Sequence, residues 1–390
     1  MTGPPETRVL TFIGAYLPGF KGGGPVKSMK NLAERLSPDI KFWIVAPDRD
    51  LCSDTVYSEI TPRTWMVLNK ETVLYLPPSL TNILDVLNIL RLINYNIIYL
   101  HSFFSQRYTL PVLALRWLRL VPKRPLILAV HGEFSPAALA LKPRKKQIYI
   151  YLAQRLGFLQ GILFHATSPQ EEEHIYRTLG TGVKIYVAPN LVDLPPDVLN
   201  RPKTSLDILK IVFLGRIVPM KNLDYALEVL ANVETPVRFT IYGPIEDILY
   251  WERCQNIISE LPQHIEVDYV GNITPSEVTS KLSQHDLFFM PTRGENFGHV
   301  IPEALSAGCP VLISDQTPWQ DLDEHGCGWA FPLKNSASFV KIINKVGSME
   351  GIERQLLSDK AREYMIHKES ISTDVDIAKR LFLDSMGAEI

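Results

Sequence analysis

Residues 290–315 read MPTRGENFGHVIPEALSAGCPVLISD. The apolar run Leu287 to Met290 leads in, a polar loop with glycines follows, PEALSAG carries helical periodicity, and CPVLISD is again apolar and extended. Strand, loop, helix and strand in that order are the repeating unit of a parallel sheet with crossover helices. In such a sheet ligands gather beyond the carboxyl ends of the strands, so the residues after Met290 are where chemistry is expected.

Glu295 and Glu303 are separated by seven residues, the first in the loop and the second within the helix, with Gly298 between them. The turn Asn296-Phe297-Gly298-His299 would aim backbone amides at a phosphate near a positive helix end. Glu303, roughly a turn into that helix, is then placed to accept hydrogen bonds from ribose hydroxyls, and Glu295 to hold a sugar.

Upstream, ILKIVFLG, VRFTIYG and IEVDYVG read as further strands of the same half. Just past the first of them, Arg216 and Lys221 stand five positions apart, followed by Asn222 at the entrance of a helix. A guanidinium fork and a compact ammonium together suit a diphosphate and can neutralise it as a leaving group without a metal.

The first half alternates in the same way, with strands in VLTFIGAY, KFWIVAP, IIYLHSF, LILAVHG, ILFHATS and KIYVAPN. A chain of 390 residues exceeds one hydrophobic core. The division expected is 1–195, 205–370 and a C-terminal helix over 371–390 that packs back on the first domain, with a Pro-rich connection over Leu194 to Lys210. The fold class is therefore α/β, two doubly wound Rossmann-like domains facing each other across a deep cleft.

Two strand ends in the first half carry candidate residues. Lys21-Gly22-Gly23-Gly24-Pro25 precedes a helical run, and its glycines would let amides approach an anion; alone it is as well read as a simple turn. His131-Gly132-Glu133 follows LILAV and offers an imidazole and a carboxylate as acid, base or partners of a sugar hydroxyl; a hydrogen-bonded loop histidine is an equal reading.

Bulk properties exclude several classes. Composition is 46% hydrophobic and 21% charged, with no low-complexity tract. Neither a secretory leader nor a membrane-spanning run is evident, so the expected location is cytoplasmic. Cys52, Cys254, Cys309 and Cys327 form no C-x-x-C pair, which argues for reduced, mostly buried thiols rather than disulfides or zinc. Asp48-Arg49-Asp50 and Asp321-Leu322-Asp323 are D-x-D sequences read as chance, and no metal and no cofactor are expected.

Net charge is −2, yet Val86 to Gln170 holds eleven Lys or Arg and the single acid Glu133. Within it, Lys142, Arg144, Lys145 and Lys146 are mixed with aromatic and aliphatic residues as in an interfacial helix, against the simpler reading of a solvated basic face. Docking on the inner face of an anionic membrane is one expectation; nucleic acid is not, because no binding motif accompanies the charge.

Taken in order, the glycine loop, G-R-x-x-x-x-K-N at Gly215 to Asn222 and E-x7-E at Glu295 to Glu303 resemble glycosyltransferase family 4, retaining enzymes of the GT-B fold, over nearly the whole chain. The resemblance implies that Gly23 and Gly24 lie beside the donor, that Arg216 and Lys221 bind its diphosphate, and that Glu295 with Asn296, Phe297 and Gly298 binds the sugar. It implies ribose binding by Glu303 and a place for His131 near the reacting centre. Asn190 fits the family's P-N-x-x-D pattern with Leu191 where Gly is usual, and it is grouped with Glu133 on the acceptor side. The implied activity is transfer from a UDP- or GDP-linked sugar to a glycan or lipid-linked acceptor in surface-polysaccharide synthesis, by front-face departure and attack. A nucleotide-sugar-binding regulator or inactive partner subunit is the alternative, and a phosphorylase or epimerase of the same fold a third reading.

Overall fold

The computed structural model describes residues 6–37, 39–51, 53–77, 83–192 and 208–387. The chain divides into two compact units, Met1–Leu191 with Thr373–Ile390, and Val192–Ser372. The expected Pro-rich connection lies outside the described residues up to 207, as does Cys52.

The first unit holds β1 (Thr7–Phe12), β2 (Ile40–Pro47), β3 (Trp65–Leu68), β4 (Glu71–Leu76), β5 (Ile97–His101), β6 (Leu126–Ala129), β7 (Ile162–Ala166) and β8 (Lys184–Val187). They form one sheet ordered β3-β4-β2-β1-β5-β6-β7-β8, parallel except for the β3–β4 pair. That hairpin does not figure in the sequence reading. Its tight turn is made by Asn69 at φ 52°, a conformation asparagine tolerates.

Every residue of β5 and β6 is buried, as a parallel strand covered on both faces requires. On one face α1 (Gly24–Leu36) sends Val26, Met29, Leu32, Ala33 and Leu36 onto Val9, Phe42 and Ile44. The last helix, α13 (Asp374–Gly387), joins this face, setting the Phe382 ring edge-on to Phe42 and Tyr99 while Lys379 pairs with Asp39 at 2.7 Å. On the other face α2 (Ile83–Leu92), α3 (Thr109–Trp117), α5 (Pro143–Arg155) and α6 (Pro169–Leu179) supply Val86, Val112, Ile150 and Ile175 to a second core, and the short α4 (Pro136–Ala140) precedes α5.

The second unit holds β9 (Leu209–Leu214), β10 (Val237–Tyr242), β11 (Ile265–Gly271), β12 (Leu287–Met290), β13 (Val311–Ser314) and β14 (Gly328–Phe331). The order is β11-β10-β9-β12-β13-β14, parallel throughout. β14, the edge strand GWAF, is the one strand of this unit that the sequence reading omits. The helices α7 (Leu223–Leu230), α8 (Ile248–Ser259), α9 (Pro275–Leu282), α10 (Val300–Ser306), α11 (Ser336–Gly347) and α12 (Gly351–Ile371) contribute Leu227, Cys254, Leu282, Leu305, Phe339 and Ala361 to its core.

In each sheet the chain runs outward one way and then returns to build the other side. The reversal falls between β1 and β5 in the first unit and between β9 and β12 in the second. Strand ends at such a reversal diverge into a crevice, so the loops after these four strands are the places prepared for a ligand.

Candidate active site

In the second unit the two reversal loops are Gly215–Asn222 after β9 and 291–299 after β12, and side chains bind them to each other. Asn222, 2% exposed and at φ 62°, donates from Nδ2 to the Pro291 carbonyl at 2.8 Å. Its Oδ1 accepts from Arg293 Nε at 2.8 Å. The Met220 carbonyl takes the Arg293 amide and the Thr292 hydroxyl at 2.9 and 3.0 Å. The two loops thus form one rigid piece, and that piece brings Lys221 against Glu295: their side chains pair directly, both largely out of solvent.

Burial, and after it the Arg216 guanidinium, pushes the Lys221 ammonium down to about 7, with the Glu246 carboxylate pulling the other way. Arg216 lies further out, paired with Glu246 at 3.0 Å and half exposed. Glu246 sits in the loop after β10, and the backbone there runs so close to β9 that only glycine fits. A Cβ on Gly243 would lie 1.9 Å from the Gly215 carbonyl oxygen. Both cations expected to bind a diphosphate are therefore already neutralised by carboxylates, and a phosphate group approaching them exchanges one anionic partner for another.

Gly298 turns at φ 74°, and a Cβ there would press on Ile301 at 2.9 Å. Phe297 is anchored by Trp319, whose indole N–H donates to the Phe297 carbonyl at 2.7 Å while the rings meet at 5.5 Å. Lys368 of α12 covers the other part of that indole, 4.8 Å from its centroid. Glu303 is the fourth residue of α10, within one turn of the loop as expected, and half-buried.

In the first unit, α1 starts at Gly24 with Pro25 in its first turn. Gly23 has φ 64°, and a Cβ at Gly22 would meet Ala15 and Val26 at 2.6 Å, so the glycines answer to backbone geometry. The amides of Phe20 and Lys21 donate to Asp50 at 3.0 and 3.1 Å. Any anion held by this loop must use amides further along. Asp50, half of one D-x-D sequence, therefore serves as the anchor of the glycine loop. Asp321 of the other accepts from Tyr364 at 2.7 Å. Among the described residues no group of acids, cysteines and histidines is arranged to hold a metal.

His131 follows β6 at φ 48°, a left-handed conformation costly for a residue with a Cβ, and Gly132 follows at φ 78°, where glycine is at ease; Glu171 holds the turn, accepting from the Gly132 amide and from the Thr167 amide and hydroxyl. His131 Nε2 lies 2.7 Å from His101 Nδ1. Burial, then the charge of His165, lowers the His131 imidazole to about 3. It is neutral at physiological pH. A neutral imidazole keeps one N–H and one lone pair, so His131 can donate to or accept from a sugar hydroxyl, one of the roles offered for it.

Glu133 turns inward, accepting from Ser102 Oγ at 2.5 Å and the Phe103 amide at 2.6 Å. Its carboxylate organises the loop after β5, and burial raises its pKa. Asn190, 8% exposed, follows β8, beside Leu191, whose carbonyl accepts from Asn31 at 2.7 Å. Cys254, Cys309 and Cys327 are buried free thiols.

Glu246, His101, Glu171, Trp319 and the locking role of Asn222 are absent from the sequence reading. Position at the end of a strand was an available signal for His101, and position beyond one for Glu246; Trp319 and Glu171 act through folded geometry that no spacing announces.

Two parallel-sheet units with their loops at the reversal points define a GT-B fold, and solved structures agree. The chain superposes on sucrose-phosphate synthase of Thermosynechococcus elongatus with a TM-score of 0.70 at 14% identity, covering 98% of this chain and 100% of that one. It superposes equally, TM-score 0.70 at 17% identity and the same coverage, on Anabaena Alr3699/HepE in complex with UDP and glucose. Family models match residues 22–195, glycosyltransferase family 4, and 200–364, glycosyl transferases group 1, so each unit carries the likeness of a glycosyltransferase domain and the two together support the family 4 resemblance.

Curated relatives align over part of their length. An uncharacterized 41.2 kDa protein in the cps region of Klebsiella pneumoniae is 25% identical over 241 residues, 60% of this chain and 63% of that protein. The O-antigen biosynthesis glycosyltransferase WclY of Escherichia coli is 26% identical over 123 residues, 32% of this chain and 33% of its own.

Proposed function

We propose that this protein is a retaining, metal-independent hexosyltransferase that moves a sugar from a UDP- or GDP-linked donor to a glycan or lipid-linked acceptor in polysaccharide biosynthesis. The observation that carries the reading is the locked pair of loops in the second unit, with Lys221 and Arg216 held by displaceable carboxylates and Glu303 within a turn of them. The O-antigen relative and the structural likeness to a protein solved with UDP and glucose support it.

In this reading the diphosphate takes Arg216 from Glu246 and Lys221 from Glu295, and Glu295 is freed to accept from sugar hydroxyls. The C1–O bond to phosphate breaks with its electron pair leaving on the nucleoside diphosphate, and the acceptor oxygen bonds to C1 on the same face. The acceptor's proton passes to the departing phosphate oxygen. The chain's contribution is position and countercharge, and the two cations supply what a divalent ion would otherwise supply. Glu295, once freed from Lys221, is in this reading a sugar-binding group rather than a nucleophile.

The first unit takes the acceptor in this account. Its helix α5 exposes Ile148, Tyr151 and Leu152 together with Lys142, Arg144, Lys145 and Arg155 in and around it, as a surface resting on anionic lipid would. Among the described residues no helix is long and apolar enough to cross a membrane. A peripheral position on the inner face of the cell membrane is proposed.

The test is nucleoside diphosphate release from UDP-, GDP- and ADP-linked sugars, in the presence of a chelator, with the anomeric configuration of the product read by NMR. One donor turned over with retention is expected. Inversion, or dependence on a divalent ion, would overturn that part of the proposal.

A further inference from the structure

β5 places Tyr99 and His101 on one face of the first sheet, and the loop after β6 carries His131 alongside. The His101 and His131 ring planes differ by 11°, with centroids 5.0 Å apart and the nitrogens at 2.7 Å. That combination describes two rings lying edge to edge in a common plane, a nitrogen of each aimed at the other, rather than rings stacked face to face. One hydrogen lies between them, and the question is which ring owns it.

The neighbouring His165 shows how such a question is answered here. Its Nε2 is 2.8 Å from the Ala188 carbonyl, which can only accept, so Nε2 carries the proton and Nδ1 accepts from the Tyr99 hydroxyl at 2.8 Å.

For His101 the decisive atom is Nε2, which is buried and has no hydrogen-bond partner among the described residues. If His131 donated to His101 Nδ1, the single proton of a neutral His101 would sit on that Nε2, a buried N–H pointing at no acceptor. If His101 donates, Nε2 is only a bare lone pair. An orphaned N–H is the rarer and costlier of the two. A doubly protonated ring is disfavoured by burial in both residues.

We propose that His101 is a positioning residue: by donating from Nδ1 to His131 Nε2 it holds His131 in the Nδ1–H tautomer, so that His131 meets its ligand as a hydrogen-bond donor to oxygen. The Nδ1 of His131 has no partner among the described residues, and the residue is partly exposed. The oxygen it addresses belongs to a sugar hydroxyl or a phosphate. This last point rests on the reading that His131 works in the transfer site; the tautomer does not.

The experiment is a long-range proton–nitrogen correlation spectrum of the full chain labelled with 15N-histidine, near pH 7.5. Nine histidines must be told apart, and His131→Phe and His101→Phe spectra identify the pair. The wild-type His131 should show the Nδ1–H pattern. It should revert to the commoner Nε2–H pattern in His101→Phe and be retained in His101→Asn, whose amide can donate from the Nδ1 position. An Nε2–H pattern in the wild type, or one unchanged in His101→Phe, would overturn the inference, and the wild-type spectrum decides even where a variant does not fold. Turnover separates the two layers: His101→Phe should lose roughly tenfold or more, the scale of one hydrogen bond, with His101→Asn restoring most of it. An Nδ1–H spectrum with unaltered turnover in both His101→Phe and His131→Phe would leave the tautomer standing and remove His131 from the transfer site.

Discussion

Replacing Asn222 by alanine should damage the second unit and the proposed donor site together. The Pro291 carbonyl, buried under Asn222, would lose its donor at 2.8 Å, and a stranded buried carbonyl costs about 1 to 3 kcal/mol. Arg293, half exposed, loses its acceptor but can turn to water, so little is added there. Alanine at φ 62° adds about 1 to 2 kcal/mol of backbone strain. The total is about 2 to 5 kcal/mol, and Asn222→Gly, which relieves only the strain, should recover about 1 of it. Urea unfolding followed by tryptophan fluorescence reads the stability. Calorimetric titration with the preferred nucleoside diphosphate reads the site, where release of Lys221 from its fixed place against Glu295 should weaken binding by roughly tenfold or more. An Asn222→Ala protein with stability within about 0.5 kcal/mol of wild type and an unchanged Kd would refute the idea that this side chain joins the two loops.

Further outcomes follow from the same geometry. Because Lys221 is held near 7 when ligand-free, diphosphate binding above that pH should take up a proton and binding well below it should not; titrations in two buffers of different ionisation heat at pH 8.5 should differ, and identical heats would contradict the assignment. His101 and His165 are buried and His131 is partly exposed, and all three have lowered pKa values, so below the ordinary histidine value of about 6.5 the unfolded chain binds more protons than the folded one. Stability should therefore fall as pH drops through that value toward 3, by up to about 1.4 kcal/mol per pH unit for each ring, and a melting temperature flat from pH 7 to 5 would be inconsistent with three imidazoles held neutral by the fold. Gly243→Ala, whose Cβ would overlap the Gly215 carbonyl, should cost about 3 kcal/mol or more and abolish donor binding, and a well-folded, binding-competent variant would show that β9 and β10 can separate there. Ile148→Asp with Tyr151→Asp should abolish sedimentation with phosphatidylglycerol vesicles, while wild-type protein that ignores those vesicles would remove the membrane proposal.

Much of this molecule was legible in its sequence because the information was local. Continuous apolar runs such as LILA and LFFM are what a strand buried on both faces must be, and glycine and cationic residues just past them follow from where parallel sheets open. The β3–β4 hairpin escaped because β3 is a four-residue edge strand with no fully buried residue to mark it and the turn uses Asn69 where a glycine would have flagged it. The ion pairs of Arg216 with Glu246 and Lys221 with Glu295 join residues 30 and 74 positions apart, beyond any spacing rule. His131 was visible as a candidate, but its lowered pKa comes from burial beside His165, and its bond to His101 arises from strand pairing between β5 and β6. The placement of contiguous motifs beyond strand ends was legible, and proton placement was not.

The most direct test of the account is donor turnover itself: release of nucleoside diphosphate from a panel of UDP-, GDP- and ADP-linked sugars by wild-type protein and by Lys221→Ala. The account predicts release from one donor class by the wild type, reduced roughly a hundredfold or more in the variant, in line with the loss of one charged group that stabilises a leaving anion. Saturable binding of a nucleotide sugar with no release, in the presence of membrane-derived acceptor, would contradict it and identify the protein as a nucleotide-sugar-binding subunit.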